Sequence, residues 1–344
     1  MFEKNLKYYR LKRYMSMKAL AKACDVTPMA ISNYESGKRK PDMTTIKKLA
    51  DALDVYVADF LASRKTNLIF VHKEFRKHSS LSKTQQEYIH ASVEEYFNRF
   101  FDAVDCLGGD PLPTPPVCHT LKRSGDCEQD ALMLRKSLGL QEEGPIDELV
   151  GILENKGILV VELDVENDHF SGINGFVDQY PYIAVNATMR SERKRTTLLH
   201  ELAHLMFIWG EDDDNETEST AIAGAALISQ NDLVRELGIR RTRLTKDMSL
   251  VCKEYGISMF LLVTRASKVG IISDSLAKEF YIWANKVNLR KSEPLRVKTE
   301  EKPMLFNQLV YRAVNEEGVS IQRGAELLKI PVSEMEDFCG LMEA

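Results

Sequence analysis

Long apolar runs are missing from this chain. No uninterrupted stretch approaches the ~20 residues of a membrane span, and the first residues lack the apolar core of a signal peptide, so a cytoplasmic protein with no membrane partner is expected. Cysteine pairs are missing too. The six cysteines (Cys24, Cys106, Cys118, Cys127, Cys252, Cys339) include no C-x-x-C, which argues against a disulfide framework and against a cysteine zinc site. Cys118-His119 with Cys127 is too sparse to read as a metal cluster. Proline is scarce except in one place: Gly108 to Pro116 holds four prolines and two glycines, cannot continue a helix, and reads as an extended connector.

With 344 residues, 44% of them hydrophobic and 28% charged, the chain can bury two or three cores. Its net charge of −5 is unevenly spread. Residues 1–64 hold 13 Lys+Arg against 7 Asp+Glu, a net of +6, so the remainder carries −11. A basic module is joined to an acidic one.

The densest chemistry lies in Thr197-Leu198-Leu199-His200-Glu201-Leu202-Ala203-His204-Leu205-Met206-Phe207. Four residues apart on a helix, His200 and His204 project from one face and can reach one metal ion. Glu201 follows the first histidine, where a general base can take a proton from an activated water. Apolar neighbours suit a buried helix, in which low dielectric strengthens the field of an ion. Two histidines leave a catalytic zinc short of its usual third protein ligand. A glutamate at the start of the next helix, Glu216 to Leu227, can supply it: Glu218 is preferred and Glu216 is the alternative. No residue stands out as an oxyanion stabiliser, although His169, Tyr180 and Tyr182 are near in sequence.

Before this motif the pattern predicts helices over Glu128–Leu138 and Ile146–Lys156, a strand over Gly157–Leu163, and two short strands over Gly172–Val177 and Pro181–Asn186. An extended segment beside a metal helix is where many zinc peptidases hold substrate as an added strand. A helix from about Leu81 to Val104 carries aromatic residues at helical spacing, which read as a core or inter-domain stripe. After the motif the chain looks helical over Met248–Tyr255, Ile257–Val269, Ser273–Ala284 and Met304–Glu316. The acidic tail from Glu316 contains a helix-turn-helix-like pattern, read as packing or partner contact.

Two resemblances organise these observations. Leu20-Ala21, Val26, Ile31 to Pro41 and Leu49 to Val55 resemble the Xre/Cro/cI-type helix-turn-helix family over nearly all of residues 6–61. The resemblance implies that the third helix enters the major groove, with Thr27, Pro28, Met29, Ser32 and Asn33 near base edges and Lys38, Arg39 and Lys40 against phosphates. Leu134 to Leu140 with Gly144-Pro145-Ile146, Leu153 to Ile158, Gly172 to Phe176, Ile183 to Asn186, Arg193 to Phe207 and the Glu218 helix resemble the ImmA/IrrE metallopeptidase domain over roughly residues 128–235. That resemblance implies a zincin-like peptidase that cuts a helix-turn-helix repressor, with His200, His204 and Glu218 as metal ligands and Glu201 as base. The sequence departs from the family at Ala203 in place of a common glycine, at Ser219-Thr220 in place of the usual Ala-Asn, and at Ile222 and Ile228-Ser229.

The expected fold is α+β and mainly helical. Residues 1–64 form an all-α, lambda-repressor-like DNA-binding domain, 65–117 a helical connector with the Pro-rich linker, 118–235 a zincin-like α/β domain, and 236–344 a helical C-terminal region. The expected function is a zinc-dependent (Zn2+) endopeptidase coupled to operator DNA binding, regulating transcription by repressor cleavage. The rival is a DNA-binding regulator or antitoxin-like repressor whose zincin domain only senses. The oligomeric state stays open, a homodimer included.

Overall fold

The computed structural model describes residues 1–61, 68–73, 75, 81–167, 169–211, 213–289 and 301–340. The chain divides into two compact units, Met1–Leu112 with Leu305–Ala344, and Pro113–Met304. In the first, α1 (Phe2–Lys12), α2 (Met17–Cys24), α3 (Pro28–Glu35), α4 (Met43–Leu53) and α5 (Val57–Leu61) enclose a core of Leu6, Leu20, Ile31, Leu49, Leu53 and Phe60. Local chemistry sets each boundary. Ser16, Thr27 and Asp42 accept backbone N–H bonds at the starts of α2, α3 and α4, and Asp25 and Asp54 end α2 and α4 in the left-handed region. Arg10 ties α1 to α3 through a buried two-pronged pair with Glu35, at 2.5 and 2.8 Å.

Further along this unit, β1 (Phe70–His72) is a short strand and α6 (Lys83–Cys106) a long helix opened by a Ser82/Gln85 capping box. Ile89, Val93, Phe97, Phe100 and Phe101 are buried along α6, so its aromatic stripe is core. Tyr88 packs edge-on against Tyr14 at 5.5 Å, joining α6 to the first helices.

The second unit runs through β2 (Leu121–Lys122), α7 (Cys127–Leu138), α8 (Leu149–Asn155), β3 (Leu159–Leu163), β4 (Gly172–Val177), β5 (Tyr180–Asn186), α9 (Ser191–Met206), β6 (Phe207–Ile208) and α10 (Asn215–Leu227). α11 (Gln230–Leu237), α12 (Met248–Tyr255), α13 (Met259–Lys268) and α14 (Asp274–Lys286) complete it. β5 is buried along its whole length, paired in parallel with β3 and antiparallel with β4. β2 and β6 form a small parallel pair. The strands of that pair are two residues each, too short for the sequence pattern to announce, and α11, opened by a Ser229/Asp232 capping box, is not among the helices it predicts.

α9 is buried nearly throughout, and of its basic start Lys194 and Arg195 are buried while Arg193 stays exposed. Arg195 and Glu301 form an ion pair with both side chains 1% exposed. The same carboxylate accepts from the N–H groups of Leu149 and Val150, so it also caps α8, whose own N-cap residue makes no side-chain bond. Lys194 pairs with Glu162 and donates to the Glu301 carbonyl. At the far end of α10, buried Arg135 donates to the carbonyl of Ala226 and to those of Gln141, Glu143 and Gly144. Residues 236–304 thus belong to the second unit, while 305–344 return to the first.

In that return, α15 (Leu305–Asn315) brings Phe306 to within 5.2 Å of Tyr96 and 5.6 Å of Phe100 on α6. α16 (Ile321–Leu328) and α17 (Val332–Cys339) then repeat the backbone of α2 and α3. In each case a serine-capped eight-residue helix ends in a left-handed residue, Lys329 (φ 58, ψ 42) matching Asp25 (φ 58, ψ 46), and a second eight-residue helix follows. α17 carries Glu334, Glu336 and Asp337 with no basic residue, a charge that repels phosphate.

Removing one partner of a buried pair strands a charge. Glu301→Ala is expected to lower the unfolding free energy by about 3–5 kcal/mol. Glu142→Ala, which deletes the exposed Lys136–Glu142 pair, should change it by under ~1 kcal/mol. Denaturant unfolding of the two variants checks this.

Candidate metal centre

α9 and α10 pack face to face, and their contact holds the chemistry. The one-turn spacing on α9 sets the imidazoles of His200 and His204 with Nε2 atoms 3.2 Å apart. From the start of α10, Glu216 places Oε2 3.2 Å from His200 Nε2 and Oε1 3.6 Å from His204 Nε2. Among the described residues this is the one group of three or more His, Cys, Asp or Glu side chains close enough to share a metal ion. The donor set fits a small dication. Tetrahedral zinc with bonds of about 2.0–2.1 Å separates its ligand atoms by roughly 3.3 Å, and two nitrogens with one carboxylate are a usual catalytic set.

The backs of both rings are held as metal-binding histidines require. Thr220 donates its hydroxyl proton to the Glu216 carbonyl at 2.9 Å, so toward His200 Nδ1, at 3.1 Å, it can only accept. That puts the ring proton of His200 on Nδ1 and leaves the Nε2 lone pair facing the cluster. Ser219 sits 3.4 Å from His204 Nδ1 and can do the same there. Trp209 packs on the His204 ring at 5.6 Å.

Glu218 goes elsewhere. It pairs with Arg123, whose guanidinium also binds the fully buried Asp130 at 2.6 Å and lies 4.7 Å over the Trp209 ring. The reason is helical geometry: residues two apart point about 200° apart, so only one of Glu216 and Glu218 can face α9. Glu216, Ser219 and Thr220, at i, i+3 and i+4, share that face. The spacing of the two hydroxyl residues was the sequence signal that favours Glu216 over Glu218.

Glu201 is buried, and Oε2 accepts a 2.6 Å bond from Nδ2 of Asn174 on β4. Asn174 carries no motif and sequence reasoning passes over it. Of the residues considered for the oxyanion, Tyr182 is fully buried in β5, Tyr180 is buried beside it, and His169 is exposed. Cys118 and Cys127 are half-buried thiols that burial pushes up, Cys118 to about 11, which suits inert side chains rather than ligands.

In the first unit, Thr27, Pro28 and Met29 are exposed at the start of α3, Ser32 and Asn33 are half-exposed one turn on, and Lys38, Arg39 and Lys40 are exposed in the following turn. The residues expected at base edges thus occupy the accessible part of α3, with three cations beside them.

Zinc titration followed by calorimetry separates the two glutamates: Glu216→Ala is expected to abolish tight binding and Glu218→Ala to retain it. Thr220→Val, which removes the acceptor behind His200, should weaken binding about 10-fold or more.

Residues 6–60 match the family model described as helix-turn-helix, and residues 153–267 match the one described as the IrrE N-terminal-like domain. No curated protein and no solved structure matches the chain significantly. The second match spans α9 and α10 and so contains the His200, His204 and Glu216 cluster. The chain is therefore an Xre-like helix-turn-helix module fused to an ImmA/IrrE-type domain.

Proposed function

We propose that this protein is a zinc-dependent endopeptidase coupled to a DNA-binding module, and that it regulates transcription by cutting a helix-turn-helix repressor. The observation that carries the reading is the joint placement of His200, His204 and Glu216 as three ligands, with Glu201 beside them and outside the ligand set. A structural site would close the fourth position with another protein ligand, and among the described residues the cluster offers three. A bound zinc ion supplies a Lewis acid for the scissile carbonyl and lowers the pKa of a nearby water toward ~7. Glu201 takes the proton of the attacking water and returns it to the leaving amine as the C–N bond breaks. Buried surroundings keep its carboxylate from bulk water and strengthen its interaction with a cationic site.

The repressor as substrate rests on the resemblance to ImmA/IrrE proteins and on the fused DNA-binding module, which places the peptidase where repressors sit. Lys38, Arg39 and Lys40 are the phosphate contacts of this reading, and Thr27, Pro28, Met29, Ser32 and Asn33 lie at base edges. Met29 and Pro28 bring no hydrogen-bond donor, so much of the specificity falls to Asn33, Ser32 and the shape of the groove. The protein works in the cytoplasm.

Zinc-loaded protein incubated with a panel of helix-turn-helix repressors is expected to cut one of them. A chelator stops the cleavage and added zinc restores it. Glu201→Gln retains zinc and loses at least a hundredfold in rate. Cleavage by Glu201→Gln at the wild-type rate, or none by the zinc-loaded wild type across the panel, overturns the proposal. Replacing Lys38, Arg39 and Lys40 by alanine should weaken DNA binding across all sequences and flatten its dependence on salt.

A further inference from the structure

β4 runs unusually close to α9. A Cβ at Gly172 would lie 2.7 Å from Thr197 Cγ2 and 3.4 Å from Glu201 Cγ, so the strand can pass here because residue 172 has no side chain. Strand alternation puts residue 174 on the same face, one repeat of about 6.6 Å further along. There Asn174 is buried, with Nδ2 2.6 Å from Glu201 Oε2. An ionised carboxylate only accepts, so the amide is the donor.

We infer that Asn174 is the positioning residue for Glu201, holding one carboxylate oxygen so that the other is turned to the attacking water. The inference rests on the peptidase reading above. Three properties of the pair support it. An amide donates to an anion but has no proton to give it, so Glu201 keeps its capacity as a base. It carries no charge that would draw the carboxylate away, as Arg123 draws Glu218. And it ties down a side chain that, swinging freely one residue from His200, could become a fourth ligand and close the open position.

The test needs no knowledge of the substrate. Acetohydroxamic acid binds a catalytic zinc through two oxygens while its hydroxyl proton passes to the neighbouring carboxylate, so its affinity reads Glu201 as well as the metal. In the zinc-loaded full chain, Asn174→Leu should bind one zinc as tightly as the wild type and the hydroxamate about tenfold more weakly. In the Glu201→Gln background the same substitution should cost nothing further, since its effect runs through Glu201. Asn174→Asp, of equal size but like charge, should weaken the hydroxamate at least as much. Unchanged hydroxamate affinity in Asn174→Leu, an equal loss in the Glu201→Gln background, or loss of zinc from both position-174 variants overturns the inference. If Glu201→Gln alone binds the hydroxamate as tightly as the wild type, the peptidase reading itself has failed, and that is seen before any variant of Asn174 is made.

Discussion

A carboxylate held against two imidazoles where α9 packs on α10 is the constraint on which the second unit depends. The Glu216 side chain is 28% exposed, and several cations of this unit are paired with other carboxylates. Arg123 is committed to Asp130 and Glu218, and Arg195 and Lys194 are committed to Glu301 and Glu162. Glu216 faces a pair of Nε2 atoms, one of them fixed as a lone pair by Thr220. Such a centre favours a cation, and the cost of assembling it is met by the packing of α9 on α10. Arg135 at the end of α10 and Glu301 at the start of α8 hold that packing from both sides, although neither touches the cluster.

How far the sequence announces this can be seen residue by residue. The histidines and Glu201 were legible because their chemistry needs a fixed spacing along one helix, and spacing is what a sequence displays. Glu216 was harder, because the third member of the cluster comes from another helix and depends on how that helix is rotated; Ser219 and Thr220 carried the information. Asn174 was not legible, since its contact with Glu201 exists only once β4 lies against α9, which depends on Gly172. Glu301 was hidden for the same reason: more than a hundred residues separate it from Arg195. Helices with strong apolar periodicity, such as Met248–Tyr255, stand where the pattern predicts them, whereas the two-residue strands β2 and β6 are products of tertiary contact.

The chain leaves the first unit at Leu112 and returns to it at Leu305, so the ImmA/IrrE-type unit is spliced into the DNA-binding one rather than strung after it. In the function proposed above, that tether makes peptidase and DNA-bound repressor neighbours, and the second encounter becomes intramolecular. Charge works in the same direction. The basic module attracts phosphate while the acidic remainder of the chain is repelled by it.

The departure at Ser219-Thr220 from the Ala-Asn usual in the family keeps an acceptor behind His200. An asparagine at position 220 could offer its carbonyl oxygen to His200 Nδ1 much as the threonine hydroxyl does. A threonine can serve only if its own proton is occupied elsewhere, because an O–H turned toward the ring would favour the wrong tautomer. The backbone carbonyl of Glu216, one turn back on α10, takes that proton at 2.9 Å. The residue that supplies the carboxylate to the cluster therefore also, through its main chain, sets the acceptor that orients the opposing histidine. A ligand at position 218 would leave that arrangement unused, since its carboxylate would face away from the ring whose tautomer Thr220 fixes.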